Sequence, residues 1–350
     1  MMRRPEERQR RRIAVHARLL NYLKGKRSLA ALGMTLLAAG SALAQTHVVI
    51  VSGLSGEKKY HDSFIQISRA IAGAASQRFG IPDTAIVWLG EDSTLKEPFF
   101  RGQSTKANVE RIVGQIASKA GPGEQFILVL VGHGSGEGDD SKISIPGPDL
   151  SARDFATLLS KFPTQKVAFV DLTSASGDML PIVAAPNRVI ITATKSSFER
   201  NESRFGQFFA NALSQDVADA DKDGRVSLLE AFRYAVIETK RVYESDTRLQ
   251  TEHAQLDDLG AKNGVAEPDG RTGQGLLARR FFFDSGISRA AGNDPRLAAL
   301  YKDKFALEDQ IDSLKVKKTS MDADSYDDAL EALLVQLARK AKSIREMEGK

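Results

Sequence analysis

Two patterns in this chain carry residues whose types and spacing could do chemistry. The first is Asp219-Ala220-Asp221-Lys222-Asp223-Gly224-Arg225-Val226-Ser227-Leu228-Leu229-Glu230. Oxygen ligands are needed at positions 1, 3 and 5 of a twelve-residue calcium loop, glycine at 6, a backbone carbonyl at 7, an oxygen or a water at 9, and a bidentate glutamate at 12. Asp219, Asp221, Asp223, Gly224, Arg225 (through its carbonyl), Ser227 and Glu230 meet each requirement, and Val226 is the usual β-branched residue at position 8. Carboxylate and carbonyl oxygens suit a hard cation, so the expected metal is Ca²⁺. A single exported loop is expected to bind at ~10⁻⁴ M or weaker, in a structural role. The second pattern is a pair of polar loops, Gly132-His133-Gly134-Ser135-Gly136 and Thr173-Ser174-Ala175-Ser176-Gly177, each directly after an apolar run. An imidazole beside a hydroxyl is the layout for base-assisted acyl transfer, and flanking glycines let backbone N–H groups approach an oxyanion. Taken alone, the same residues also fit a structural histidine and a turn that caps a helix.

The elements that must position these loops are legible as periodicity. Continuous apolar runs at 47–52 (HVVIVS), 84–89 (TAIVWL), 125–131 (QFILVLV), 166–172 (KVAFVDL) and 188–192 (RVIIT) read as buried strands, with 142–145 (KISI) as a short edge strand. Helical spacing at 61–79, 104–119, 151–162 and 179–184 alternates with them. That alternation predicts a doubly wound α/β domain with a mostly parallel sheet covered on both faces. Ligands of such sheets bind beyond the carboxyl ends of the strands, where both polar loops emerge. Helices at 205–213 and 228–243 flank the acidic loop, giving an inserted EF-hand-type helix-loop-helix, and the acidic stretch 253–262 reads as a loop. From Asp294-Pro295 onward two leucine-rich stripes, Leu297 to Leu314 and Tyr326 to Met347, predict a C-terminal helical hairpin or coiled coil, with Lys304 interrupting the first stripe. The expected organisation is 1–44, 45–290 and 291–350.

Charge and composition narrow the setting. The 350 residues carry net charge +4 and no cysteine, which excludes disulfides, thiolate metal sites and a cysteine nucleophile. Residues 1–44 hold ten Lys and Arg against Glu6 and Glu7, then an apolar run from Leu29 to Leu43 and an Ala42-Leu43-Ala44 cleavage signature before Gln45. This reads as a secretory signal, with a periplasmic or secreted product and no stable membrane span after cleavage. The rest has a net charge of −4, so no footprint for nucleic acid is expected.

The segments FILVLVGHGS, KVAFVDLTSASG and RVIITATKSSFERNESRFGQFFANAL resemble the legumain/caspase-like (clan CD) peptidases over roughly residues 46–245. There, one strand ends in His-Gly and the next in Ala-Cys-x-Ser-Gly, which carries the nucleophile. The resemblance implies a caspase-like fold, the family histidine at His133, an oxyanion N–H at Gly134, and the nucleophile position at Ser174. A serine needs a base oriented by a third group, where a thiolate does not. The expectation is therefore a pseudopeptidase or a module that binds a peptide or protein ligand. Alternatives are an active serine-type peptidase using Ser174 and His133, or an envelope assembly protein that self-associates through residues 291–350.

Overall fold

A computed structural model describes residues 45–271, 273–283, 291–292, 294–316, 318 and 321–349. The secretory signal read at 1–44 lies outside the described residues, as does most of the stretch joining the expected 45–290 and 291–350 segments. In chain order the elements are β1 (Thr46–Ser52), α1 (Lys58–Gly73), β2 (Ile86–Gly90), β3 (Phe100–Gln103), α2 (Lys106–Ala117), β4 (Gln125–Val131), β5 (Gly134–Ser135), β6 (Lys142–Ile143), β7 (Leu150–Ser151), α3 (Ala152–Leu159), β8 (Lys166–Asp171), α4 (Leu180–Val183), β9 (Arg188–Thr192), α5 (Phe205–Ser214), α6 (Leu228–Ser245), β10 (Gln255–Asp257), α7 (Pro295–Val316) and α8 (Ala323–Glu348).

The expected sheet is present. Seven strands run in the order β10-β9-β8-β4-β1-β2-β3, all parallel except β10 against β9. Alternate residues of each strand enter two separate cores, as period-2 side-chain geometry requires. Val48, Ile50, Val129 and Val170 pack under α1, α5 and α6, while Val49, Val51, Leu128 and Phe169 pack under α2, α3 and α4. Each fully buried Ile or Phe of these layers contributes about 1.5–3 kcal/mol. Because both faces are covered, the strands read as unbroken apolar runs rather than as alternating ones.

Several boundaries differ from the sequence expectation, each for a local reason. The first helix starts earlier, at Lys58, and ends in a π-helical turn over Ala74–Arg78. The second strand begins at Ile86 because Pro82 leads into a 3₁₀ turn, Asp83–Ala85. KISI does not edge the main sheet; β6 is the middle strand of a separate small sheet, β5-β6-β7. The stretch 253–262 is not all loop, since β10 pairs antiparallel with β9. Parallel edge strand β3, in Phe-Arg-Gly-Gln, has no apolar run to announce it. Thr105 caps α2, and Ser151 and Asp154 form a capping box on α3. Helices α7 and α8 form the expected hairpin, capped by Asp294 and Asp322. From Thr46 onward the chain, hairpin included, is one compact unit. Among the described residues no helix is long and apolar enough to cross a membrane.

Candidate functional site

Parallel strands that end in register present their loops on one rim. β4 pairs with β8 from Gln125↔Lys166 to Leu130↔Asp171, so His133 and Ser174 leave neighbouring strands a few residues later. The two loops are in direct contact. A Cβ added to Gly134 would lie 2.2 Å from the Ser174 carbonyl oxygen, so only glycine fits beside that turn.

The His133 ring is partly buried. Its Nε2 faces the Ser55 carbonyl at 3.3 Å. A carbonyl only accepts, so this contact is made by an Nε2–H, the tautomer that in a neutral ring leaves the lone pair on Nδ1. Two rings from the start of α1 meet the imidazole edge to face, Tyr60 at 4.7 Å and Phe64 at 5.1 Å. Ser55 is held in turn by Glu91, just after β2: Glu91 accepts from the Ser55 N–H at 3.0 Å and from its hydroxyl at 2.5 Å. His61 Nδ1 meets the same carboxylate at 2.8 Å. Burial pushes the Glu91 carboxyl up, but the hydrogen bonds from His61 and Ser55 outweigh it and hold the group below the usual carboxylate range.

Ser174 is 4% exposed, and among the described residues its hydroxyl makes no hydrogen bond, to His133 or to anything else. The turn around it is firmly held. Ala175 sits at φ +53°, a left-handed conformation costly for alanine, and its N–H donates to the Glu199 carbonyl at 2.8 Å. The Gly177 N–H donates to the Thr194 hydroxyl at 3.0 Å, and the Asp178 carboxylate accepts from the Gly138 N–H at 3.0 Å and the Ser197 N–H at 3.2 Å. Asp171, at the end of β8, takes the Thr173 N–H and hydroxyl on one oxygen, while the other oxygen is buried without a partner. Burial pushes its carboxyl up to about 7, against the pull of the Thr173 hydrogen bonds. No carboxylate therefore touches the His133 ring among the described residues. A cleft of about 510 Å³ opens next to the turn, lined by Gly177, Asp178, Leu180, Lys195, Gln255 and Lys262 among others.

The acidic loop stands apart, between α5 and α6. Asp219, Asp221 and Asp223 each place a carboxylate oxygen within 4.8 Å of the others. Gly224 adopts φ +88°, the turn that only glycine makes cheaply, and its N–H and that of Asp223 donate to Asp219. Glu230 reaches back across the loop, accepting from the Ala220 N–H at 3.0 Å and the Ser227 N–H at 2.8 Å while completing the cap of α6. Burial, with repulsion from Asp223, raises the Asp221 carboxyl, and burial raises Glu230. This donor set of crowded carboxylates around a glycine turn fits a hard divalent cation. The end of the loop is tied to another segment: Ser227 bridges antiparallel to Phe282, and the Leu228 N–H donates to the Phe281 carbonyl at 2.8 Å. The Arg225 side chain is buried between the Phe282 and Phe305 rings, 4.0 Å from each, and ion-pairs with Asp223 at 2.8 Å and with Glu308 of α7 at 3.5 Å.

The structure thus brings His133, Gly134 and Ser174 to one rim and gathers Asp219, Asp221, Asp223, Ser227 and Glu230 in one loop. Sequence reasoning missed Ser55, His61 and Glu91. Their one available signal was position: Ser55 and Glu91 also follow parallel strands on the same rim.

No protein-family model matches the chain, and no curated protein matches it. Among solved structures it is similar to a protein from Geobacter sulfurreducens, with TM-score 0.37 and 15% identity over 55% of this chain and 89% of that one. It is also similar to a secreted C11 cysteine protease from Bacteroides thetaiotaomicron, solved with an irreversible peptide inhibitor, with TM-score 0.37 and 12% identity over 71% of this chain and 69% of that one. Likenesses this faint bear on neither the chemistry nor the ligands of this chain.

Proposed function

We propose that this chain is an exported, caspase-like pseudopeptidase that holds a peptide or protein ligand at the strand-end rim without hydrolysing it. The observation that carries this reading is that, among the described residues, the Ser174 hydroxyl makes no hydrogen bond to His133, whose ring instead meets the Ser55 carbonyl and the Tyr60 and Phe64 rings. A serine acts as a nucleophile when its base takes its proton and a third group stabilises the imidazolium that forms. Here the carboxylates nearest in sequence, Asp171 and Asp178, are engaged with the turn itself. The adjoining cleft offers both carboxylates and lysines to a polar chain.

The test is a fluorophosphonate probe and a peptide library applied to wild type and to Ser174→Ala. The expected result is no Ser174-dependent labelling or cleavage, with peptides retained equally by both proteins. Labelling or cleavage abolished by Ser174→Ala would make the chain an active serine-type peptidase instead.

Loop 219–230 is read as a structural Ca²⁺ site held by Asp219, Asp221, Asp223, the Arg225 carbonyl, Ser227 and Glu230. A bound ion would neutralise the crowded carboxylates and fix the start of α6. The segment 1–44 is read as the export signal, tested by finding whether the product in the cell envelope begins at Gln45. Helix α8 leaves Leu334, Val335 and Met347 exposed. Comparing solution mass with and without residues 291–350 tests self-association there.

A further inference from the structure

We infer that Glu91 is the positioning residue of His133, acting through Ser55 to hold the imidazole in one tautomer and one orientation. This role rests on reading His133 and Ser174 as the functional pair of the rim.

Three adjacent parallel strands deliver the parts. Glu91 follows β2, Ser55 lies in the loop after β1, and His133 lies just past β4, in the sheet order β2-β1-β4. The Glu91 carboxylate gathers the Ser55 N–H at 3.0 Å, the Ser55 hydroxyl at 2.5 Å and His61 Nδ1 at 2.8 Å. Its own backbone carbonyl is tied down by the Gln103 side-chain amide at 3.0 Å. Ser55 is therefore fixed by Glu91 at both its main-chain nitrogen and its side chain, and its carbonyl, which also accepts the Glu57 N–H at 2.8 Å, is held between these ties. That carbonyl meets His133 Nε2 at 3.3 Å. Helix α1 completes the arrangement from one turn: His61 binds the carboxylate, while Tyr60 and Phe64 bracket the imidazole edge to face. Ring rotation is opposed by two aromatic walls, and the proton is kept on Nε2 by an acceptor that cannot donate. The Nδ1 lone pair is left as the ring's basic position. A thiol placed at position 174, on the neighbouring loop, reports whether that lone pair acts as a base there.

The experiment uses the chain from Gln45 onward, labelled with ¹⁵N-histidine, with His133 assigned by the signals that vanish in His133→Gln. At a pH where the ring is neutral, wild type should show His133 as a single Nε2–H tautomer. In Glu91→Ala the two ring-nitrogen shifts should move toward the average of a mixed population. Glu91→Gln keeps an acceptor oxygen for the Ser55 N–H and should fall between the two. If Glu91→Ala does not fold, as judged by circular dichroism, Glu91→Gln decides. A second readout is independent of ring shifts. In a Ser174→Cys background, alkylation by iodoacetamide should be faster than for an unperturbed thiol, and Glu91→Ala should slow it about 3- to 10-fold near neutral pH and move its pH profile toward that of a free thiol. A folded Glu91 variant with the wild-type His133 tautomer and an unchanged alkylation profile would overturn the assignment. The tautomer reading needs neither bound peptide nor catalysis. Failure of the pseudopeptidase reading would instead appear as Ser174-dependent probe labelling, with the tautomer result intact.

Discussion

The turn at 173–178 and the loop at 219–230 are both short, both rich in oxygen and both carry residues at positive φ, yet they differ in how their polar groups are met. The turn matches its polar groups with partners from elsewhere in the fold: Thr194 for Ser176 and Gly177, Glu199 for Ala175, Gly138 and Ser197 for Asp178. Just before it, burial pushes the Asp171 carboxyl up to about 7, against the pull of its hydrogen bonds from Thr173. The loop partners its carboxylates mainly with its own backbone and leaves three of them facing one another. The carboxyl group of the turn is held by N–H groups of other segments, whereas the loop's carboxylates crowd one another. Strain means different things in the two. At Ala175 it is sustained by surrounding hydrogen bonds, whereas at Gly224 the residue type removes it.

The largest expected effect strikes the turn alone. Gly134→Ala would drive a methyl group into the Ser174 carbonyl, so a loss of about 3 kcal/mol in urea unfolding is expected, with Ca²⁺ affinity unchanged. If Ca²⁺ binding changed as well, the two regions would not be independent. Next is the ion itself. Raising Ca²⁺ to 100 times its Kd should add about 2.7 kcal/mol, seen as a higher Tm that chelator reverses and that Asp219→Ala abolishes. An unmoved Tm would remove the contrast. Third is Asp171→Asn. The native carboxyl titrates at about 7, above the unfolded value of about 3.9, so between those pH values the native state keeps a proton that the unfolded chain has lost. Wild-type stability should therefore fall as pH rises through that window. The variant should lack this slope and gain of order 2 kcal/mol on wild type by pH 7, measured by denaturation at several pH values. The smallest effect is Ser151→Ala, which removes the α3 cap far from both regions. A cost of about 1 kcal/mol, with no change in either site, sets the background for the rest.

Much of this was legible because it is periodic or punctuated. The five central strands are apolar on both faces, so their runs stand out, and Thr105 and Ser151 mark helix starts through capping chemistry. The acidic loop stood out by its spacing, and the structure does bring the Asp219, Asp221 and Asp223 carboxylates together. What escaped notice lies at edges or depends on contacts between distant segments. β3 and β10 are short edge strands with little apolar content. The Glu91–Ser55–His133 chain joins residues far apart in sequence, and no local spacing announces it. Likewise, no local pattern announces that Asp171 is held by the Thr173 N–H and hydroxyl.

The bridge between Ser227 and Phe282 makes the acidic loop and the approach to the tail a unit of inheritance. Losing the strip around Phe282 in evolution would unpair the loop, and losing the loop would strand two aromatic residues and Arg225 against α7. Relatives of this chain should keep both or discard both.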